Sequence, residues 1–99
     1  MQPAWPFADP PNLAVITTRP VIDREQPIRL VAHDADDGGW QFLCGTTSHT
    51  DDARVVSFQS IVGRDPSVRE LADLPLGWRA WREAPGRPWQ RRSDDRGES

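Results

Sequence analysis

Residues 28–44, IRLVAHDADDGGWQFLC, decide the fold. Ile28-Arg29-Leu30-Val31-Ala32-His33 alternates as a strand, with Ile28, Leu30 and Ala32 on its expected core face. Trp40-Gln41-Phe42-Leu43-Cys44 is a second strand, with Trp40, Phe42 and Cys44 on one face. The intervening DADDGG of residues 34–39 contains Asp-Gly and Gly-Gly steps. Such steps supply the positive φ that a tight hairpin needs. The stretch therefore reads as a β-hairpin.

Working outward from it, residues 13–18 (LAVITT) are rich in β-branched side chains and read as a strand bounded by Pro20. Residues 20–27 read as a connection. Residues 1–12 hold four prolines and predict an extended arm, with Trp5 and Phe7 lying over the edge of the core. Beyond the hairpin, GTTSHTDD at 45–52 is a polar loop, and Arg54-Val55-Val56 is a brief extended piece. Ser57 is a cap for a helix through Gly63 that buries Phe58, Ile61 and Val62. Asp65-Pro66 starts a second helix, because a capping carboxylate precedes a proline at the first helical position. That helix buries Val68, Leu71 and Ala72 and stops at Pro75.

In residues 76–82 (LGWRAWR) the three-residue spacing of Trp78 and Trp81 fits a helix, but Gly77 and the lack of a cap favour a strand. Pro85-Gly86 has the order of a type II turn, and Trp89-Gln90-Arg91 returns as the partner strand. The expected fold class is α+β: a small, mostly antiparallel sheet of four to five short strands with one or two short helices. It spans residues 13–92 as one domain, between the Pro-rich arm at 1–12 and a disordered tail at 93–99.

Composition sets the outer limits. The 99 residues, 11.2 kDa, suit one domain with one small core. A single cysteine, Cys44, excludes an intrachain disulfide scaffold. The longest apolar run near the start, Leu13-Ala14-Val15-Ile16, is far short of a membrane span, and no secretory signal is evident, so the expected compartment is the cytoplasm. All twelve basic residues are arginine, which leaves no lysine for a Schiff base or a phosphate loop.

The net charge of −3 is unevenly spread, with −5 over residues 33–52 and +4 over residues 76–92. The acidic half resembles the start of a calcium loop, but Gly38 and Gly45 stand where later ligands belong, so a hairpin tip or a partner-contact patch fits better. His33, Cys44 and His49 are too few and too scattered for structural zinc, and neither a metal nor a cofactor is expected. Ser48, His49, Asp51 and Asp52 are the letters of a hydrolase triad, yet they crowd one polar loop with no supporting scaffold. There is no nucleophile elbow and no phosphate loop, so the chain does not read as an enzyme. The basic half interleaves aromatics with arginines. Trp81, Arg87, Trp89, Arg91 and Arg92 are the candidates for a weak nucleic-acid surface, which the negative total charge disfavours.

Residues 37–45 (DGGWQFLCG), then Asp65-Pro66-Ser67-Val68, then Leu74-Pro75-Leu76-Gly77 with Ala80 and Arg82, resemble a family of small bacterial domains classed as immunity-protein-like and associated with polymorphic toxin systems. The resemblance covers roughly residues 14–83. It implies an α+β domain that binds and neutralises a cognate toxin without catalysis of its own. Acids placed over a basic active site give such an inhibitor steering and specificity. Asp36, Asp37, Asp51 and Asp52, with His49, are then the expected partner-binding residues. The alternative is a small interaction domain with no toxin partner.

Overall fold

A computed structural model of the chain describes residues 5–44 and 53–93. The elements run β1 (Ala14–Thr18), α1 (Arg19–Ile22), β2 (Leu30–His33), β3 (Trp40–Leu43), β4 (Ala53–Ser57), α2 (Phe58–Arg64), a 3-10 helix (Pro66–Leu71), β5 (Trp78–Trp81) and β6 (Gln90–Ser93). Six strands form one sheet in the order β4-β1-β3-β2-β5-β6. Only β1 and β3 pair parallel; the other four pairings are antiparallel. The architecture is α+β, with one strand more than the sequence led us to expect and an added helical turn, α1, that runs from Arg19 into the connection at 20–27.

The hairpin at the centre is β2 and β3. Asp34 and Gly39 close it through the Asp34 N–H to Gly39 carbonyl bond of 2.8 Å, and Gly38 takes φ 73° in the turn. A side chain disfavours that region, so the glycine belongs there. The second expected turn is also present: Arg87 N–H donates to the Ala84 carbonyl at 3.1 Å around Pro85 and Gly86, with Gly86 at φ 85°. That is the signature of a type II turn, and it joins β5 to β6.

The core face of β3 is as expected, with Trp40, Phe42 and Cys44 all buried. The phase of β2 is not. Val31 is fully buried opposite Phe42 on one side and Ala80 on the other, while Leu30 and Ala32 face the opposite way. The reason is register. Directly opposed residues share a face, so pairing with Phe42 commits Val31 to the core. Ile28 is buried too, but it lies ahead of the strand, and its phase does not carry through Arg29.

Between β4 at one edge and β5 beyond β2, the chain crosses β1, β3 and β2 through α2 and the 3-10 helix. Ser57 caps α2 by accepting from Ser60 N–H at 3.2 Å. Asp65 is extended (φ −143°, ψ 88°) because Pro66 follows it, and this ends α2 and starts the 3-10 helix. The crossing lays Phe58, Ile61, Val68 and Leu71 on Val15, Val31, Phe42 and Ala80. Phe7 joins this core from the N-terminal arm, its ring 4.3 Å from Phe58 and 5.5 Å from Trp40. Asp9 holds the arm in place: its carboxylate accepts from Trp40 Nε1 at 2.9 Å and its carbonyl from Trp5 Nε1.

Candidate functional site

The residues that the sequence singles out fall in two regions, the acidic hairpin tip and the basic C-terminal segment. At the hairpin tip the acids divide by role. Asp34 accepts from Gln41 Nε2 at 2.8 Å, and Asp37 accepts from the Gly39 N–H at 2.8 Å, so both also shape the turn. Asp36 is exposed and has no such bond. Beside the tip lies a groove of about 370 Å³ lined by His33, Asp34, Asp36, Leu76 and Trp78. His33 is fixed at its floor. Its Nδ1–H donates to the Leu74 carbonyl at 2.8 Å, and its ring stacks 3.9 Å from Trp40. The other expected contacts, His49, Asp51 and Asp52, lie outside the described residues.

The basic C-terminal set does not form one surface. Trp89 is half-buried against the core, under the Arg82 guanidinium at 4.2 Å. Arg91 reaches the 3-10 helix side, binding the Asp73 carboxylate and the Glu70 carbonyl, each at 2.8 Å. The Arg91 guanidinium holds the Asp73 carboxyl below its ordinary value, through the hydrogen bond first and its charge second. Arg87 pairs with Glu83 at 3.6 Å. Only Trp81 and Arg92 lie on the opposite face of the sheet, away from the helices.

That opposite face is the feature the sequence reading missed. The registers set one row across the strands as Val55, Ile16, Gln41, Ala32, Arg79 and Arg92. The next row is Leu43, Leu30, Trp81 and Gln90. None of these residues belongs to the core or packs on it, and among the described residues every helix contributes to the core side. Ile16, Val55 and Trp81 are 41%, 70% and 37% exposed. An antiparallel sheet with one solvated face normally alternates apolar and polar. Here the paired apolar letters Val15-Ile16, Leu30-Val31, Phe42-Leu43 and Val55-Val56 make both faces apolar. Those doublets were the available signal.

The most ordered polar cluster sits on the core side and is structural. Arg82 is buried. Its Nε donates to the Ile28 carbonyl at 3.0 Å, Nη1 to Ser67 Oγ at 2.8 Å and Nη2 to Asp65 Oδ2 at 2.5 Å. Every donor arm is committed to holding the 3-10 helix and the segment before β2. Among the described residues no three His, Cys, Asp or Glu side chains gather as metal ligands. None of their helices is long and apolar enough to cross a membrane. Compared with protein-family models, curated proteins and solved structures, the chain matches none.

Proposed function

We propose that this chain is a non-catalytic protein-binding module whose contact surface is the helix-free face of its sheet. One observation carries the reading: Ile16, Val55 and Trp81 are exposed together on a face that also holds Leu30 and Leu43. Contiguous exposed apolar area of this kind marks interaction surfaces in soluble proteins. An immunity-like inhibitor of a cognate toxin is the specific form that the resemblance of residues 14–83 suggests. Asp36 and Asp37 at the tip support that form, since their charges are available to meet a basic partner.

Affinity capture of the tagged protein from its native host, with excess nuclease in the lysate, tests the reading. The expected result is one dominant protein partner that is retained after nuclease and lost with Ile16→Asp. Capture that survives Ile16→Asp removes the open face from the proposal. A partner that carries a toxin-like domain, and is weakened when Asp36 and Asp37 are both reversed to Arg, supports the inhibitor form. Unchanged affinity in that double variant ends the acidic-tip idea.

A further inference from the structure

Beyond that reading, we infer that the β4 edge of the sheet is a pairing site for a second copy of the chain, β4 against β4, about a two-fold axis centred on Val55. The two edges of the sheet are built differently. β6 carries Arg91 and Arg92, and charged edge strands resist pairing. β4 is Ala53-Arg54-Val55-Val56-Ser57, with no proline and one charge. Val55, at its centre, is 70% exposed, more than any other large apolar side chain among the described residues. The register shows which backbone groups this edge offers. In an antiparallel pair, directly opposed residues alternate between exchanging hydrogen bonds and exchanging none. Phe58 N–H donates to the Leu13 carbonyl at 2.8 Å, and these two residues continue the register that opposes Ala14 to Ser57. Counting back from that bond, Val56 and Arg54 bond across to Val15 and Thr17, while Ala53, Val55 and Ser57 turn their backbone groups outward.

Two copies pair only when outward residues oppose outward residues. With Val55 opposite Val55 of the second copy, the whole strand overlaps and Arg54 faces Val56. The two Val55 backbones then bond each other reciprocally, and each Ser57 N–H meets the Ala53 carbonyl of the other copy. That carbonyl already accepts from Arg54 Nη1 at 2.8 Å, and its second lone pair serves the new bond. A slip of two residues centres the pairing on Arg54 or on Val56. The first sets arginine against arginine, which like charges disfavour, and both shorten the overlap. The Val55 register also runs Ile16, Val55 and their copies into one row of β-branched side chains on the face away from the helices, a favourable cross-strand arrangement. Head-to-tail pairing of β4 on β6 of the next copy fits less well. It sets Arg54 among Arg91 and Arg92, and it builds an open filament instead of a closed dimer.

Analytical ultracentrifugation of the full chain over a range of concentrations, with amide exchange read by NMR, tests the inference. The expected result is a monomer–dimer equilibrium. As the dimer forms, exchange of the Val55 amide should slow by roughly tenfold or more, while the Val56 amide, already bonded to Val15, stays protected throughout. Val55→Pro removes only an outward N–H, which an edge strand tolerates, and should give a folded monomer. Val55→Lys and Val55→Glu each oppose like charges at the axis and should be monomeric alone. Mixed in equal amounts, they should recover the dimer through a Lys–Glu pair. That mixture decides the matter even if the proline variant proves poorly folded by circular dichroism. A chain that is monomeric at every concentration overturns the inference and leaves the edge to a foreign strand or to water. So does a dimer that persists in Val55→Pro, or a pair of charge variants that stays monomeric on mixing. A dimer kept in both charge variants and lost in Ile16→Asp overturns it in favour of two copies packed face to face. Filaments that grow without a closed dimer overturn it in favour of β4 on β6.

Discussion

Trp89 and Trp81 come from the same C-terminal hairpin, yet one closes the core and the other stands on the opposite face of the sheet. Trp89 lies beneath Arg82, whose guanidinium is spent on Asp65, Ser67 and the Ile28 carbonyl. Trp81 lies between Leu30 and Gln90, 37% exposed, with Arg92 near it. The residue types are alike, and only strand phase separates them. The comparison shows why an Arg/Trp-rich stretch in a sequence is a poor guide to a binding site. Half of its members are consumed in building the fold, and the remainder can be told apart only once the register is known.

The comparison can be broken from the core side first. Arg82→Met should lower the unfolding free energy by about 3–5 kcal/mol, because it strands the Asp65 carboxylate and the two other acceptors that Arg82 now satisfies. Urea denaturation followed by Trp fluorescence checks it. A loss no larger than that of a surface variant would show that Arg82 is a surface side chain in solution. Phe7→Ala should cost a similar amount, about 3–5 kcal/mol, since Phe7 is packed among Phe58, Trp40 and Trp5. If that variant is as stable as the wild type, the arm is not part of the core.

The open face should respond in the opposite sense. Ile16→Asp and Trp81→Ser should each change stability by no more than about 1 kcal/mol while abolishing partner capture. A large fall in stability would mean that this face is covered within the chain itself. A smaller effect sits at Arg24, which takes φ 63° where α1 ends. Helices commonly place glycine at such a position, and Arg24→Gly should stabilise the fold by about 0.5–1 kcal/mol. Differential scanning calorimetry resolves that difference.

The smallest effect concerns the Arg91–Asp73 pair on the exposed side of the C-terminal strand. Its carboxyl is depressed below the ordinary value of 3.8. A depressed folded value contributes stability above the unfolded value, and that contribution is lost as the pH falls through the folded one. Carboxyl NMR titration should place Asp73 below 3.8 in the wild type and return it to the ordinary range in Arg91→Gln. The accompanying change in stability should be close to the detection limit, as for most exposed ion pairs.

Much of the architecture was legible in the chain because the signals are local. The DADDGG turn, the Ser57 cap, the Asp65-Pro66 helix start and the Pro85-Gly86 turn each act within six residues, and all four occur where they were read. The alternation of Trp40, Phe42 and Cys44 named a core face that pairing did not alter. The phase of β2 depended on a non-local choice. Leu30 and Val31 are both apolar, and only opposition to Phe42 and Ala80 selects Val31 for the core. The parallel β1–β3 contact was also invisible, because it arises from where distant segments meet.

By itself, then, the sequence determined the α+β class, the turns, the helix starts and the supply of apolar residues on both phases of the strands. These follow from backbone sterics and side-chain capping within a few residues of each other. Tertiary structure alone decided which phase went inward and that the β4-to-β5 crossing put its helices on a single side. It also decided that Trp81 and Arg92 remained outside while Trp89 and Arg82 were taken in. The physical reason is that a strand's period of two offers two equivalent faces, and only register against the neighbouring strands chooses between them.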